Sequence, residues 1–151
     1  LVEIQGLISR SNFGIVRQKA QGFDANRLAM LVAVLEKRLD LNLQDKDIFL
    51  NVVGGVRLMD PAADLGVVIA LASALLDKPV AFDTAILGEV GLSAEVRSVP
   101  QLAVRVQEAR KLGFKRCIVP QNNLKMNKEL DVRAIKLTGV ETVKQALEEL
   151  T

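Results

Sequence analysis

Apolar and polar residues alternate over most of the first 22 positions of the chain. "LVEIQGLIS" (1–9) and "IVRQKAQG" (15–22) both follow the two-residue period of a β-strand. The segment "SNFG" between them is rich in residues that favour turns. This pattern predicts two strands that are joined as a hairpin.

A helical period follows from Ala25 to Leu39, where apolar residues recur at intervals of three and four. Asp24 comes just before this run, and an aspartate there can accept a hydrogen bond from a free amide of the first turn. We therefore predict a helix that Asp24 caps. Its buried face consists of Leu28, Leu31, Val32 and Leu35.

The middle of the chain is the most apolar part. "DIFLNVVGG" (47–55) barely alternates, which is typical of a strand that is buried on both faces. Pro61 suits the first turn of a helix that runs to about Leu76, because the N–H that proline lacks has no helical partner there. This second helix is apolar nearly all round, so we expect it to lie centrally.

The rest of the pattern predicts shorter elements. Two strands lie around Gly88 and Gly91, and a helix begins at Pro100 and ends before Gly113. Three last elements, two strands and a helix, cover "FKRCIVP" (114–120), "DVRAIKLTG" (131–139) and "VETVKQALEEL" (140–150). The predicted order is ββαβαββαβ(β)α, which indicates one α/β domain over the whole chain.

Composition narrows the chemistry that this domain can perform. Half of the 151 residues are hydrophobic but only 3% are aromatic, so the core must be aliphatic. The chain has no histidine, which excludes Ser-His-Asp and Cys-His catalysis and any histidine-ligated metal. The single cysteine, Cys117, is expected to pack inside a strand. The longest apolar run, Leu65 to Leu76, is too short to cross a bilayer, so no membrane partner is expected.

Basic residues are concentrated in one part of the sequence. The net charge is only +2, but the segment from 97 to 116 carries six cations against Glu108. These cations are Arg97, Arg105, Arg110, Lys111, Lys115 and Arg116. A phosphate-binding surface needs such a local excess, and a solvated helix face would show the same pattern.

The stretch "MDPAADLG" (59–66) joins the apolar strand to the apolar helix. Asp60 and Asp64 are spaced i, i+4 around the helix start, where paired carboxylates could do acid–base work. Carboxylates at this position also stabilise a helix by accepting from its free amides. We favour the capping interpretation for both aspartates. No GxxxxGK[ST] segment is present, so a phosphate-binding P-loop is not expected in this chain.

Long segments of the chain resemble a known family. They include "DIFLNVVGGVRLMDPAADLGVVIALAS", "GEVGLSAEVRSVPQL" and "EARKLGFKRCIVP". These segments resemble the C-terminal Lon-protease-like domain of the bacterial RadA (Sms) DNA repair proteins, and the likeness extends over residues 1–151. That domain is similar to the proteolytic domain of Lon. The resemblance therefore implies the α/β (α+β) fold called ribosomal-protein-S5-domain-2-like.

The resemblance also implies that the catalytic dyad of Lon is absent from this chain. Lon proteases use a Ser-Lys dyad, and the serine lies in a Gly-Pro-Ser-Ala-Gly motif. The matching residues here are "DPAAD", which places Ala62 at the serine position. Lon's lysine lies in Gly-Gly-Leu-Lys, which matches "PQLA" and places Ala103 at the lysine position. Because a methyl group is neither nucleophile nor base, we expect no proteolysis by this route.

The resemblance implies a role in DNA repair. RadA-like proteins are similar to hexameric ATPase motors that combine a zinc finger, a RecA-like ATPase core and this domain. They act on branched recombination intermediates, by branch migration, in the bacterial cytoplasm. The chain is therefore expected to be a fragment without the ATPase core. We expect no cofactor in it, since ATP, Mg and Zn would belong to the missing parts.

Five arginines are the candidate contacts to DNA. Arg27, Arg57 and Arg97 occupy positions that are typically basic in the resembling family, and Arg17 and Arg105 are second choices. The scarcity of aromatic residues argues against base stacking, so we expect contacts to the DNA backbone with little sequence preference. The expected partners are DNA, a hexameric ring of copies and other recombination proteins.

Two other functions remain compatible with the sequence. The domain could hold a ring together without touching DNA, and the arginines would then form subunit contacts or surface salt bridges. It could also be a Lon-type Ser-Lys peptidase whose residues have moved, because the fold alone does not exclude an enzyme.

Overall fold

The computed structural model describes residues 1–12, 14–128, 130 and 133–150. These residues contain eight strands, which form three sheets, and five helices. The strands are β1 (Ile4–Arg10), β2 (Gln18–Gln21), β3 (Lys46–Val52), β4 (Thr84–Ile86), β5 (Glu89–Val90), β6 (Val96–Arg97), β7 (Arg116–Pro120) and β8 (Lys136–Val140). The helices are α1 (Ala25–Leu39), α2 (Asp64–Leu76), α3 (Leu102–Lys111), α4 (Gln121–Met126) and α5 (Val143–Glu149). A short 3₁₀ helix, Pro61–Ala63, leads into α2.

The first sheet has the order β1-β3-β2, so the predicted hairpin is wrong. β3 lies between the first two strands, antiparallel to β1 and parallel to β2. The apolar side chains of β3 make it the strand that the core needs in the centre of the sheet, and a central strand takes partners on both edges. Phe13, in the predicted turn, lies outside the described residues.

Both long helices lie where the hydrophobic pattern predicts. α1 covers the predicted range, and the Oδ2 atom of Asp24 accepts from the Arg27 amide at 2.9 Å. α2 is buried on most sides and packs against β1, where Gly6 leaves room for the carbonyl of Ala70. The main core therefore forms between these two helices and one face of the first sheet.

A second, smaller core lies under the sheet β4-β7-β8, whose strands are all parallel. The apolar side of α3 packs into it through Leu102, Val106 and Ala109. Gly113 follows the C-cap residue Leu112 and has a positive φ of 91°, as predicted for the residue that ends this helix. Cys117 is buried there in β7, where burial raises the pKa of its thiol to about 12.

Three parts of the second half differ from the predicted order. The segment from 83 to 99 contains three short strands, because β4 joins the parallel sheet while β5 and β6 pair with each other. α4 was not predicted, since its residues "QNNLKM" are mostly polar and show no clear helical period. The predicted strand over 131–139 begins at Lys136, and Asp131 and Val132 lie outside the described residues.

α4 has a structural role that its polar residues explain. The amide of Asn123 is buried, and it makes two hydrogen bonds to the backbone of Val99, at 2.8 and 2.9 Å. These bonds hold the chain just before Pro100 and α3. The closing helix α5 is present as predicted. Among the described residues, no helix is long and apolar enough to cross a membrane.

The loop after β3 folds back against the end of β2. Gly54 and Gly55 both adopt positive φ, at 93° and 69°, which turns the chain sharply. The amide of Leu58 then donates to the carbonyl of Gly22 at 2.7 Å. A Cβ atom on Gly22 would lie 2.5 Å from the carbonyl oxygen of Val56, so only glycine allows this approach.

We predict that Gly22→Ala destabilises the fold more than Gly14→Ala does. Both glycines have positive φ, so each substitution costs about 1 kcal/mol of backbone strain. Only at Gly22 does the added methyl group meet backbone, whereas nothing lies within 4 Å at Gly14. Gly22→Ala should therefore cost about 2–4 kcal/mol in total, as measured by urea unfolding. Equal losses in the two variants would contradict the close approach of the loop.

Candidate functional site

Ala62 lies just before α2, and the resemblance to Lon places it at the position of the catalytic serine. Asp60 caps the 3₁₀ turn, because its Oδ1 atom accepts from the Ala62 amide at 3.0 Å. This confirms the capping interpretation for Asp60. Ala62 is only 3% exposed and packs in the smaller core. The backbone of Gly88 pairs with this turn. Its amide donates to the Ala62 carbonyl at 2.9 Å, and its carbonyl accepts from the Leu65 amide at 3.0 Å.

Asp64 does not cap the helix, so that part of the prediction is wrong. Its carboxylate is fully buried and faces Arg27 of α1, which donates through Nε at 2.6 Å and also through Nη2. The amide of Val90 donates to the same carboxylate at 3.2 Å. A buried carboxylate needs a cation and hydrogen-bond donors, and these were available only from other elements. The hydrogen bond to Asp64 raises the pKa of Arg27.

The second dyad position lies on the surface. Ala103 is exposed on the first turn of α3 and lines a hollow of about 610 Å³ together with Gln107, Lys125 and Lys128. Ala62 instead lines a groove of about 750 Å³. Neither side chain has a group that could attack a carbonyl or accept a proton.

The groove at Ala62 lies between two sheet edges. Residues of β1 line one side, residues of β4 line the other, and Gly66 and Ala70 of α2 contribute small side chains. Asp60 and Arg105 form an ion pair at 2.9 Å in the lining. Arg105 also donates through Nε to the carbonyl of Pro100 at 2.8 Å, so its guanidinium is committed within the domain.

The hydrogen bond from Ala62, with the neighbouring Arg105, holds the pKa of Asp60 below its usual value. A carboxyl group whose pKa is lowered by folding stabilises the folded state above its unfolded pKa. That stabilisation disappears as the pH falls through the lowered value. Asp60 therefore contributes to stability at neutral pH and not in strong acid.

Arg57 is one of three exposed arginines among the five candidates. It follows the Gly54–Gly55 turn and is exposed. No hydrogen bond or ion pair joins its side chain to another residue in the described part of the chain. Val56 and Met59, close to it in sequence, are also exposed. This loop thus presents a cation together with apolar side chains.

Arg97 is also available to a partner. It lies at the end of β6 with a side chain that is 59% exposed. Within the described part of the chain, its one ion pair is with Glu95, at 3.5 Å, which is a weak exposed pair. Arg27 and Arg105, by contrast, use their guanidinium groups on Asp64 and Asp60.

Arg17 differs from the others because a buried carboxylate orients it. Asp47 accepts from the Arg17 amide at 2.9 Å, from Nε at 3.3 Å and from Nη2 at 3.0 Å. The guanidinium lies over the ring of Phe49, 5.6 Å from its centre. Sequence analysis missed Asp47, although an acid at the start of an apolar strand was a visible signal.

Comparison with known protein families gives the class of this mixed α/β domain. Residues 29–151 match the C-terminal proteolytic domain of Lon protease (S16). The chain belongs to this Lon C-terminal domain family. The resemblance found in the sequence is thereby confirmed, together with the fold class.

Relatives give a more specific likeness. The chain is 45% identical over 150 residues to the DNA repair protein RadA of Listeria monocytogenes, covering 97% of this chain. It is 49% identical over 147 residues to that of Bacillus subtilis and 44% identical over 147 residues to that of Pseudomonas aeruginosa, again covering 97% of this chain. The chain spans 32% of the length of each of these relatives.

We predict that Arg27→Ala destabilises the fold more than Asp64→Asn. Removing Arg27 leaves a fully buried carboxylate without its cation, at a cost on the order of 3 kcal/mol. Asp64→Asn leaves an arginine that can still reach water, so its cost is smaller. The variant that carries both Arg27→Ala and Asp64→Asn should recover part of the loss. Urea unfolding measures the stability of all three variants. A double variant that is less stable than Arg27→Ala would contradict a specific pairing.

We predict that the stability advantage of the wild type over Asp60→Asn decreases with acidity. Asparagine keeps the capping oxygen but has no charge for Arg105. The difference in unfolding free energy should be constant above about pH 5 and should decrease as the pH falls below about 4, through the lowered pKa of Asp60. Urea unfolding at pH 7, 5 and 3 tests this, and Asp24→Asn reports the effect of removing the charge from a helix cap that forms no ion pair in the described part of the chain. A difference as large at pH 3 as at pH 7 would show that the charge is not involved.

Proposed function

We propose that this chain is a non-proteolytic Lon-like domain that contacts DNA through exposed arginines, chiefly Arg57 and Arg97, in a RadA-type DNA repair protein. The observation that carries this proposal is the unpaired, exposed guanidinium of Arg57 beside a protease site without its dyad. The likeness to proteins named DNA repair protein RadA supports the assignment of DNA as the ligand.

A proteolytic role is disfavoured by the chemistry of the matched positions. Ala62 offers a buried methyl group where a hydroxyl would be needed, and Ala103 offers an exposed methyl group where the base would be needed. The chain has no histidine, so a Ser-His pair is excluded as well. We therefore expect that unfolded casein is not cleaved.

Contacts to the sugar-phosphate backbone fit the available cations. Arg57 and Arg97 can each approach a phosphate without first giving up a close ion pair, whereas Arg27 would leave the buried Asp64 and Arg105 would leave Asp60. Such contacts release counterions, so affinity falls steeply with salt and depends little on sequence. Arg27 and Arg105 are thereby better explained as parts of the scaffold.

The setting of the domain is part of the same proposal. The chain forms a single Lon-like domain of a longer protein, in which an ATPase core with its ATP, Mg and Zn sites lies outside this sequence. Copies assemble into a hexameric ring that acts on branched recombination intermediates in the bacterial cytoplasm. Several weak DNA sites in one ring would reinforce each other. The support is the family resemblance and the 32% share of the relatives' length.

A second candidate is a domain that only holds the ring together. One observation favours it: Val56 and Met59, close to Arg57 in sequence, are exposed apolar side chains. A protein partner would cover them, whereas a phosphate backbone would not. Under this alternative, substitutions in the loop change the sedimentation of the protein and leave DNA affinity unchanged.

We predict that Arg57→Ala and Arg97→Ala each weaken DNA binding and reduce its dependence on salt. Each lost phosphate contact should lower the slope of log K against log salt by about 0.9 on duplex DNA. Fluorescence anisotropy between 50 and 200 mM salt measures both quantities. Lys144→Ala is the matched control, because Lys144 is an exposed cation on α5, far from these loops in sequence.

The outcomes separate the candidates. A loss in the two arginine variants with none in Lys144→Ala supports the proposal. Unchanged affinity and slope in all three variants would contradict a DNA role for these arginines. A shift in sedimentation with unchanged DNA affinity would favour the ring-holding alternative.

A further inference from the structure

One face of the sheet β1-β3-β2 is open to solvent. α1 and α2 both pack on the opposite face, which Ile4, Ile48 and Ala20 share. The side chains of the open face alternate with these along each strand. We call this surface the open face; its residues are Gln5, Leu7, Ser9, Arg17, Lys19, Gln21, Asp47, Phe49 and Asn51.

The strand register orders the open face into three rows. The first row holds three amides, from Gln5, Asn51 and Gln21. The second holds Leu7, Phe49 and Lys19. The third holds Ser9, Asp47 and Arg17, joined by the register of β1 with β3 and by the contacts of Asp47 with Arg17. Adjacent rows are about 7 Å apart, since residues i and i+2 of a strand share a face.

The centre of the open face is apolar and flat. Leu7 is 63% exposed, which is unusual for a leucine in the middle of a strand. Phe49 lies beside it and is partly exposed, with the Arg17 guanidinium over its ring. Leucine, a phenyl ring and a guanidinium plane all provide surfaces on which a flat aromatic ligand can stack.

The side chain of Arg17 is preorganised for such a ligand. Its side chain is 59% exposed, yet Asp47, which is buried, fixes Nε and Nη2. Because Nη1 makes no bond to Asp47, it can still donate to an acceptor. An arginine whose rotamer is already fixed loses less entropy on binding than a free one.

The charges of the open face favour an anion. Arg17 and the one acid of the face, Asp47, neutralise each other, which leaves Lys19 as its uncompensated charge. No ion pair joins Lys19 to another residue within the described ranges. The loop of Arg57 contacts the residue directly after β2, because the Leu58 amide donates to the Gly22 carbonyl. Glu3, directly before β1, accepts from the side-chain amide of Gln5 at 3.3 Å and is an opposing charge on this side.

We propose that the open face binds single-stranded DNA, with bases stacked on Phe49, Arg17 and Leu7 and phosphates held by Lys19 and Arg57. The proposal rests on the DNA-binding function proposed above and adds a surface and a strand preference to it. Unpaired bases expose the faces and edges that stacking and the amide row require, whereas a duplex hides its base faces. It also revises the expectation of pure backbone contact, because the register places the few suitable side chains together.

A second copy of the chain is a less suitable occupant. Protein interfaces are depleted in lysine and centre on buried apolar anchors, whereas cations and amides surround Phe49 here. The exposed apolar area is also limited to Leu7 and part of Phe49. If copies do pair through this face, its substitutions will change sedimentation and will not affect DNA affinity.

The test compares Phe49→Leu with wild type on three ligands: a thymidine oligonucleotide, the same strand with abasic sites, and a duplex. Loss of one stacked base should lower affinity for the thymidine strand about tenfold. The salt slope should not change, because no phosphate contact is removed. Phe82→Leu is the matched control, since Phe82 is 95% exposed on the segment before β4. Circular dichroism and urea unfolding confirm that each variant is folded.

The abasic strand tests stacking without altering the protein. Wild type should prefer thymidine over abasic DNA about tenfold, and Phe49→Leu should lose this preference. Equal affinity of wild type for the two strands overturns the proposal, as does a loss that is equal on single strand and duplex. If the stacking predictions fail while Arg57→Ala still weakens binding, the proposed DNA-binding function remains supported and the open face is not the binding surface. If wild type binds no DNA at 50 mM salt, both proposals fail.

Discussion

The buried ion pair between Arg27 and Asp64 is the interaction on which the arrangement of this domain depends. Asp64 is the first residue of the most buried helix, and its carboxylate has no access to water. Such a group is tolerated only with a cation and further donors, which α1 supplies through Arg27 and β5 supplies through the Val90 amide. One carboxylate thereby fixes how two helices and a hairpin meet.

Further contacts hold the start of α2 in place. Gly88 pairs with the backbone at the helix start, and Asp60 caps the turn while binding Arg105. None of these contacts needs a hydroxyl at position 62 or an amine at position 103. The fold is well packed around the buried Ala62, whereas Ala103 lies on the surface. The groups that can meet a partner are also on the surface, and they include Arg57, Arg97 and the open face.

The sequence predicted the features that depend on local pattern. The extents of α1 and α2 follow from the apolar period and the caps, and the expected loss of the dyad follows from the residue-by-residue likeness to Lon. Partners distant in the chain were not predictable in this way. Asp64 resembles a cap until Arg27 is placed beside it, 37 positions away. The hairpin was wrong because the choice of β3 as the central strand depends on the whole core, and the open face exists only once that register is known.

We propose that DNA meets the exposed arginines and the open face, and not the groove at Ala62. Backbone amide NMR of the 151-residue chain, titrated with a short thymidine oligonucleotide, distinguishes the two surfaces. We expect shifts in β2, in the loop that carries Arg57 and around Arg97, with little change at Ala62. Shifts confined to the groove between β1 and β4, or no shifts at low salt, would rule out this arrangement.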